Sequence, residues 1–219
     1  MNDKRAGPAA GSGPARVQGC GEVTVFQVRL RCEAAPEIGC GVRAKPVLQD
    51  LERVSGIGEA WLSRAGNQIA VVRTVTRSGT KGADPVLAVF RKHRIAVEAL
   101  RGERFTIALN DFASRSGWHR GADVDRLSNE EARIIAARLV ARLRTRTALP
   151  ELRARALETA VAEACAHELI RNPTQSAAAR KRRLASAALA AARARLDAPA
   201  YAAFANAVRL GHRSLPDER

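Results

Sequence analysis

A chain of 219 residues with 46% hydrophobic and 27% charged side chains can bury a core without disulfides or metals, and its composition is not that of a disordered protein. The net charge of +15 raises nucleic acid or another polyanion as a partner, although the excess runs through both halves and a solvated surface also produces it. No run approaches the ~18 apolar residues that span a bilayer, and the basic opening has no apolar signal region.

These features lead us to expect a soluble, cytoplasmic protein with no membrane partner and with reduced thiols. Aromatic residues are scarce at 4%, so the core must rest on Val, Leu, Ile and Ala. Residues 1–20, rich in Gly, Pro and Ala, predict a disordered tail in which Cys20 is incidental. In "EVTVFQVRLRC" the residues Phe26, Val28, Leu30 and Cys32 alternate with Val25, Gln27, Arg29 and Arg31, which predicts a strand with one covered face. After the loop "EAAPEIG", Val47, Leu48, Leu51 and Val54 recur at helical spacing, with Pro46 in the first turn and Gly56 at the end.

"IGEAWLSRAGNQIAVVRTV" predicts a hairpin whose Gly66 and Asn67 tolerate positive φ. A polar loop, "RSGTKGAD", leads to Asp84 as N-cap and Pro85 as first residue of a second helix, with Leu87, Ala88 and Phe90 toward the sheet. "RIAVEAL" then predicts a strand and "RFTIALND" an additional one. The order strand, helix, strand, strand, helix, strand is the ferredoxin-like βαββαβ arrangement, with one extra strand, over residues 21–110.

Residues 111–127 predict a linker or docking loop with Trp118 as an anchor. From 128 to 219 the signals are helical. "SNEE" has the form of a capping box, followed by an apolar stripe of Ala132, Ile135, Ala136, Leu139 and Leu143. Pro150, Asn172-Pro173 and Asp197 with Pro199 open three further helices, and Gly211 closes the last. The fold class expected is therefore α+β, a ferredoxin-like domain followed by a small helical bundle.

The segment "GCGVRAKPVLQDLERVSGIGEAWLSRAGNQIAVV" resembles the heavy-metal-associated domain family over about residues 22–100. Cys40 matches the first cysteine of that family's Cys-x-x-Cys, Val47 and Leu51 its helix positions, and Gly56-Ile57 its turn. Arg43 stands where the second cysteine belongs, and the methionine that usually precedes the first is absent. The resemblance implies the fold and one thiol ligand, with Cys32 as a candidate second thiolate and Arg43 offsetting the charge of a two-thiolate site. Such a pair favours Cu(I), Zn(II) or Hg(II).

At the same residues, Cys32 continues an apolar strand face and also fits a core position, while Cys40 precedes a helix start that lowers a thiol pKa. Cys165 shares a face with Leu157, Val161 and Leu169 and reads as core. His93, His119 and His212 read as solvated surface, and His167 cannot chelate together with Cys165 from a regular helix. No catalytic motif is visible, so the chain does not read as an enzyme.

The leading expectation is a soft-metal-binding or metal-sensing adaptor whose helical part contacts a protein partner or a second copy. The alternatives are a non-catalytic protein scaffold, or a nucleic-acid-binding protein using Arg180, Lys181, Arg182 and Arg183. Base stacking on the sheet is disfavoured, because the third strand has no aromatic residue.

Overall fold

In the computed structural model, which describes residues 21–74, 84–171 and 176–213, a five-stranded antiparallel sheet is combined with seven α-helices, and most ordered residues are helical. The expected tail, most of the polar loop and Asn172-Pro173 lie outside the described residues.

The strands are β1 (Val23–Gln27), β2 (Ile57–Ser63), β3 (Gln68–Arg73), β4 (Glu98–Ala99) and β5 (Trp118–Arg120), in the order β4-β1-β3-β2-β5. The β2–β3 hairpin turns where Gly66 was expected to permit it, at φ +67°; Asn67 does not share the positive φ. Helix α1 (Gly41–Glu52) starts earlier than expected. The reason is Cys40, which is extended and donates its N–H to the Leu30 carbonyl at 2.6 Å, so the chain turns into the helix directly after it. Pro46 therefore sits in the second turn, where it cannot donate to the Val42 carbonyl.

Helix α2 (Pro85–Lys92) is capped by Asp84, whose carboxylate accepts from the Val86 N–H at 2.9 Å. Val86 and Phe90 face the sheet; Leu87 and Ala88 point outward instead. Phe90 meets Phe26 with ring centroids 5.1 Å apart.

The largest departure from the sequence reading is α3 (Gly102–Ala113), which replaces the extra strand expected at "RFTIALND". Phe105, Ala108, Leu109 and Phe112 recur at helical intervals, and this face covers Val23, Val25, Ala70 and Val72. The sheet is thus buried on both faces, and Val25 is core rather than solvent-facing. The added strand is β5, which pairs with β2 through Trp118, His119 and Arg120. Trp118 packs on Phe112 at 5.0 Å and donates its Nε1–H to Asp111, so it anchors the second face of the sheet and not the helical half. Residues 111–127 accordingly hold the end of α3, β5, a 3-10 turn (Gly121–Val124) and the start of α4.

Helices α4 (Asp125–Arg144), α5 (Glu151–Arg171), α6 (Ala177–Arg193) and α7 (Ala198–Arg209) complete the chain. The expected stripe of α4 is buried throughout. Its start is three residues before Ser128, because the 3-10 turn winds straight into the helix, and so Ser128 and Glu131 are buried helical residues, not a capping box. Ser176 and Asp197 cap α6 and α7. One contiguous apolar cluster runs from β1 and α1 through α4 to α7. Lys45 of α1 also pairs with Asp125 of α4 at 2.6 Å. Among the described residues no helix is long and apolar enough to cross a membrane.

Candidate functional site

The loop between β1 and α1 is held as a tight hairpin. Arg31 pairs with Gly39, and Cys32 donates its N–H to the Ile38 carbonyl at 2.9 Å. This sets Cys32 and Cys40 on the inside of the loop, facing α4, at 2% and 4% exposure. Opposite them is Glu131, 4% exposed, whose carboxylate accepts from the Cys32 thiol. Its second oxygen, Oε2, has no hydrogen-bond partner among the described residues.

A cleft of about 400 Å³ opens above this group. Cys40 and Glu131 form its buried floor, and exposed Arg31, Arg43 and Lys181 with half-buried Arg180 surround them. At the lip Arg213 is paired with Glu33. Among the described residues Arg31, Arg43, Arg180 and Lys181 form no ion pair with an acidic side chain. Two helices begin at the cleft: α1, at Cys40, and α6, whose Ala177 and Ala178 line it. Their unpaired amide groups and dipoles add positive potential to that of the side chains.

The walls are tied to α4 by two arginines on the same side of the helix as Glu131. Arg138 donates to the carbonyl oxygens of Ala34 and His212, and Arg142 to those of Gly211 and Arg213. The 211–213 segment and the 31–35 segment are thereby fixed on either side of the cleft.

Burial dominates the titration of the floor. Desolvation pushes the Glu131 carboxyl above the usual carboxylate range, against the opposing effects of the Cys32 hydrogen bond and Arg180. It raises the Cys32 and Cys40 thiols as well, and Glu131 reinforces both shifts. The helix start was expected to lower Cys40; the Arg43 amide and the charges of Arg180 and Arg43 do act in that direction, but burial outweighs them. Burial also lowers His212, helped by Lys181, Arg213 and Arg180.

Two separate groups of sequence-predicted residues therefore meet. Cys40, Arg43, Arg180 and Lys181 line one cleft, with Cys32 directly beneath it. Arg182 and Arg183 do not join them: Arg183 faces Glu168 at 3.7 Å, and Arg182 lies on a groove between α6 and α7. Cys165 is fully buried in α5, as its face predicted, with its thiol pushed up to about 12 by desolvation. His93 is not simply solvated but bonds Asp50 at 2.8 Å, and His119 and His212 are half-buried.

Glu131 escaped the sequence reading. Its signal was a carboxylate four residues after Leu127 and four before Ile135, on the apolar side of the helix. Among the described residues no three His, Cys, Asp or Glu side chains are grouped as a metal site. Comparison of the chain with protein-family models, with curated proteins and with solved structures gives no match.

Proposed function

We propose that the chain is a binding protein whose cleft takes a compact anionic ligand, with a phosphate group seated among Arg31, Arg43, Arg180 and Lys181. The observation that carries this reading is the convergence on two helix N-termini of four cations, without acidic partners among the described residues, from two stretches far apart in sequence, 31–43 and 180–181. Phosphate is suited to such a place because backbone amides and guanidinium groups together meet its several acceptor oxygens. A cleft of about 400 Å³ is also the size of a small-molecule site. On this reading the ferredoxin-like half, whose strand order β4-β1-β3-β2 with β5 added at the edge agrees with the split βαβ pattern, supplies one wall. The helical half supplies the other.

Isothermal titration with ethyl phosphate tests it. Binding should weaken at least tenfold in Arg180→Ala/Lys181→Ala and stay within twofold of wild type in Arg182→Ala/Arg183→Ala. Equal losses in both double variants would reduce the effect to general surface charge. Recognition of bases on the sheet, the usual mode of a nucleic-acid module with this strand order, is disfavoured because α3 covers that face.

A second reading, the soft-metal adaptor implied by the resemblance to heavy-metal-associated domains, is favoured by one contact: the Cys32 thiol hydrogen-bonds Glu131 next to Cys40. The thiol pair alone would suit Cu(I) or Hg(II), and Zn(II) would need ligands beyond the described residues, among which no three-ligand group is present. Competition for these ions against a chromogenic chelator decides it; a metal site there loses affinity in both Cys32→Ala and Cys40→Ala.

A further inference from the structure

The cleft has two kinds of lining. Its rim is cationic, yet its buried floor carries a carboxyl group with one oxygen, Oε2 of Glu131, that bonds nothing among the described residues. A simple anion would satisfy the rim and leave that oxygen desolvated, which is costly for a buried polar atom. A ligand that serves both carries the anion at one end and a hydrogen-bonding group for the carboxyl at the other, and a cationic donor is the strongest partner for a buried carboxylate.

We propose that the ligand is a small aliphatic zwitterion, an amine-bearing phosphate monoester, whose ammonium group enters first and donates to Oε2 of Glu131 while its phosphate remains at the rim. This rests on the anion reading above and adds to it the amine and the orientation. Three features narrow the class. Among the described residues no Phe, Tyr or Trp lines the cleft, and its ring is the half-buried imidazole of His212, so a nucleobase would have no broad face to stack on. Four rim cations that form no ion pair among the described residues match a dianionic phosphate better than a single carboxylate. The floor beside Glu131 is the small, unbranched Cys40, so a slender ammonium tail has little to displace in reaching the carboxyl, which is buried in the free chain.

The proton balance follows from the same contact. Desolvation favours the protonated form of Glu131 in the free protein, and an arriving ammonium favours the carboxylate. Binding then releases a proton from Glu131 to solvent, so the heat of binding depends on the ionisation enthalpy of the buffer.

Isothermal titration of the full chain with O-phosphoethanolamine and with ethyl phosphate tests the proposal. Wild type should bind the amine-bearing ester about tenfold or more tightly than ethyl phosphate, the margin a charge-assisted hydrogen bond supplies. In Glu131→Gln, a near-isosteric change, the two esters should bind within about threefold of each other. Equal binding of both esters by wild type would overturn the amine while leaving the anion reading intact. A preference that persists in Glu131→Gln would show that Glu131 is not the acceptor. Failure of both esters to bind wild type would overturn the anion reading itself, and this proposal with it.

Discussion

Arg142, 6% exposed in α4, donates a hydrogen bond to the carbonyl oxygen of Gly211, just beyond α7 and 69 residues along the chain. The same guanidinium reaches the Arg213 carbonyl at 2.6 Å. A buried cation is tolerable only when its donors are used, and here backbone carbonyls use them. Truncating the side chain leaves those carbonyls without their charged donor. Arg142→Ala should therefore lose about 2–4 kcal/mol of unfolding free energy. Arg142→Lys should recover only part, since one ammonium cannot repeat the planar fork. Urea denaturation of the three proteins measures this; a loss under 1 kcal/mol in Arg142→Ala would mean that the clamp contributes nothing.

The hairpin turn gives a test at the other wall. Gly66 has φ +67°, and a Cβ there would lie 2.5 Å from the Gly39 Cα and 2.6 Å from the Leu30 carbonyl oxygen. Both conformation and space are refused, and the neighbours are backbone. Gly102 has a similar φ of +56° but open space around it. Gly102→Ala should cost only the left-handed conformation, about 1–2 kcal/mol. Gly66→Ala should cost clearly more in the same denaturation assay, because the contact of Gly39 and Leu30 with the turn must also shift. Equal losses in the two variants would show that the close approach adds nothing.

Much of this fold can be read from periodicity and end signals. The β1–α1–β2–β3–α2 succession, Asp84 and Asp197 as caps, and the apolar stripe of α4 all follow from local rules. The error at α3 has a definite cause. In "RFTIALND" the alternation of Phe105, Ile107 and Leu109 mimics a strand, but Ile107 is 63% exposed and the buried pair is Ala108 and Phe112, spaced as on a helix. Once α3 is misread, the second covered face of the sheet is lost with it. In the cleft, Cys40 and Arg180 were each legible as chemically distinctive residues, but not their meeting, since α6 packs on α5 and α7, these pack on α4, and α4 in turn carries α1. Glu131 was hidden for another reason: "SNEE" satisfies a capping pattern, and only the preceding 3-10 turn moves the helix start upstream.

Glu131 gives a pH dependence of defined sign. Its carboxyl is held above the usual range in the folded chain by desolvation. The folded form thus prefers the proton more than the unfolded chain does. Stability from this group is fully present below the unfolded pKa, about 4.3, and is lost as pH rises through the higher folded value. Glu131→Gln, which cannot ionise, should flatten that fall. We expect the difference in unfolding free energy between Glu131→Gln and wild type to shift in favour of the variant from pH 4 to pH 7. A difference that stays constant across this range would mean that Glu131 is solvated as in the unfolded chain.

Asp50 has the opposite sign. Its carboxylate bonds Lys92 at 2.7 Å and His93 at 2.8 Å, and Arg53 at 2.9 Å through the other oxygen. Hydrogen bonds from Lys92 and then His93 hold its pKa down to about 2. A depressed carboxyl contributes stability that is present above the unfolded pKa, about 3.9, and disappears as pH falls through about 2. The contacts join α1 to the end of α2, so they matter most for the docking of α2. Asp50→Asn should lower stability at pH 7 by about 1–2 kcal/mol and remove a matching part of the acid-induced loss between pH 4 and pH 2. Titrating the Asp50 carboxyl carbon by NMR checks the cause directly. A midpoint near 3.9 would mean that Lys92 and His93 do not hold the carboxylate in solution, and the stability difference should then vanish with it.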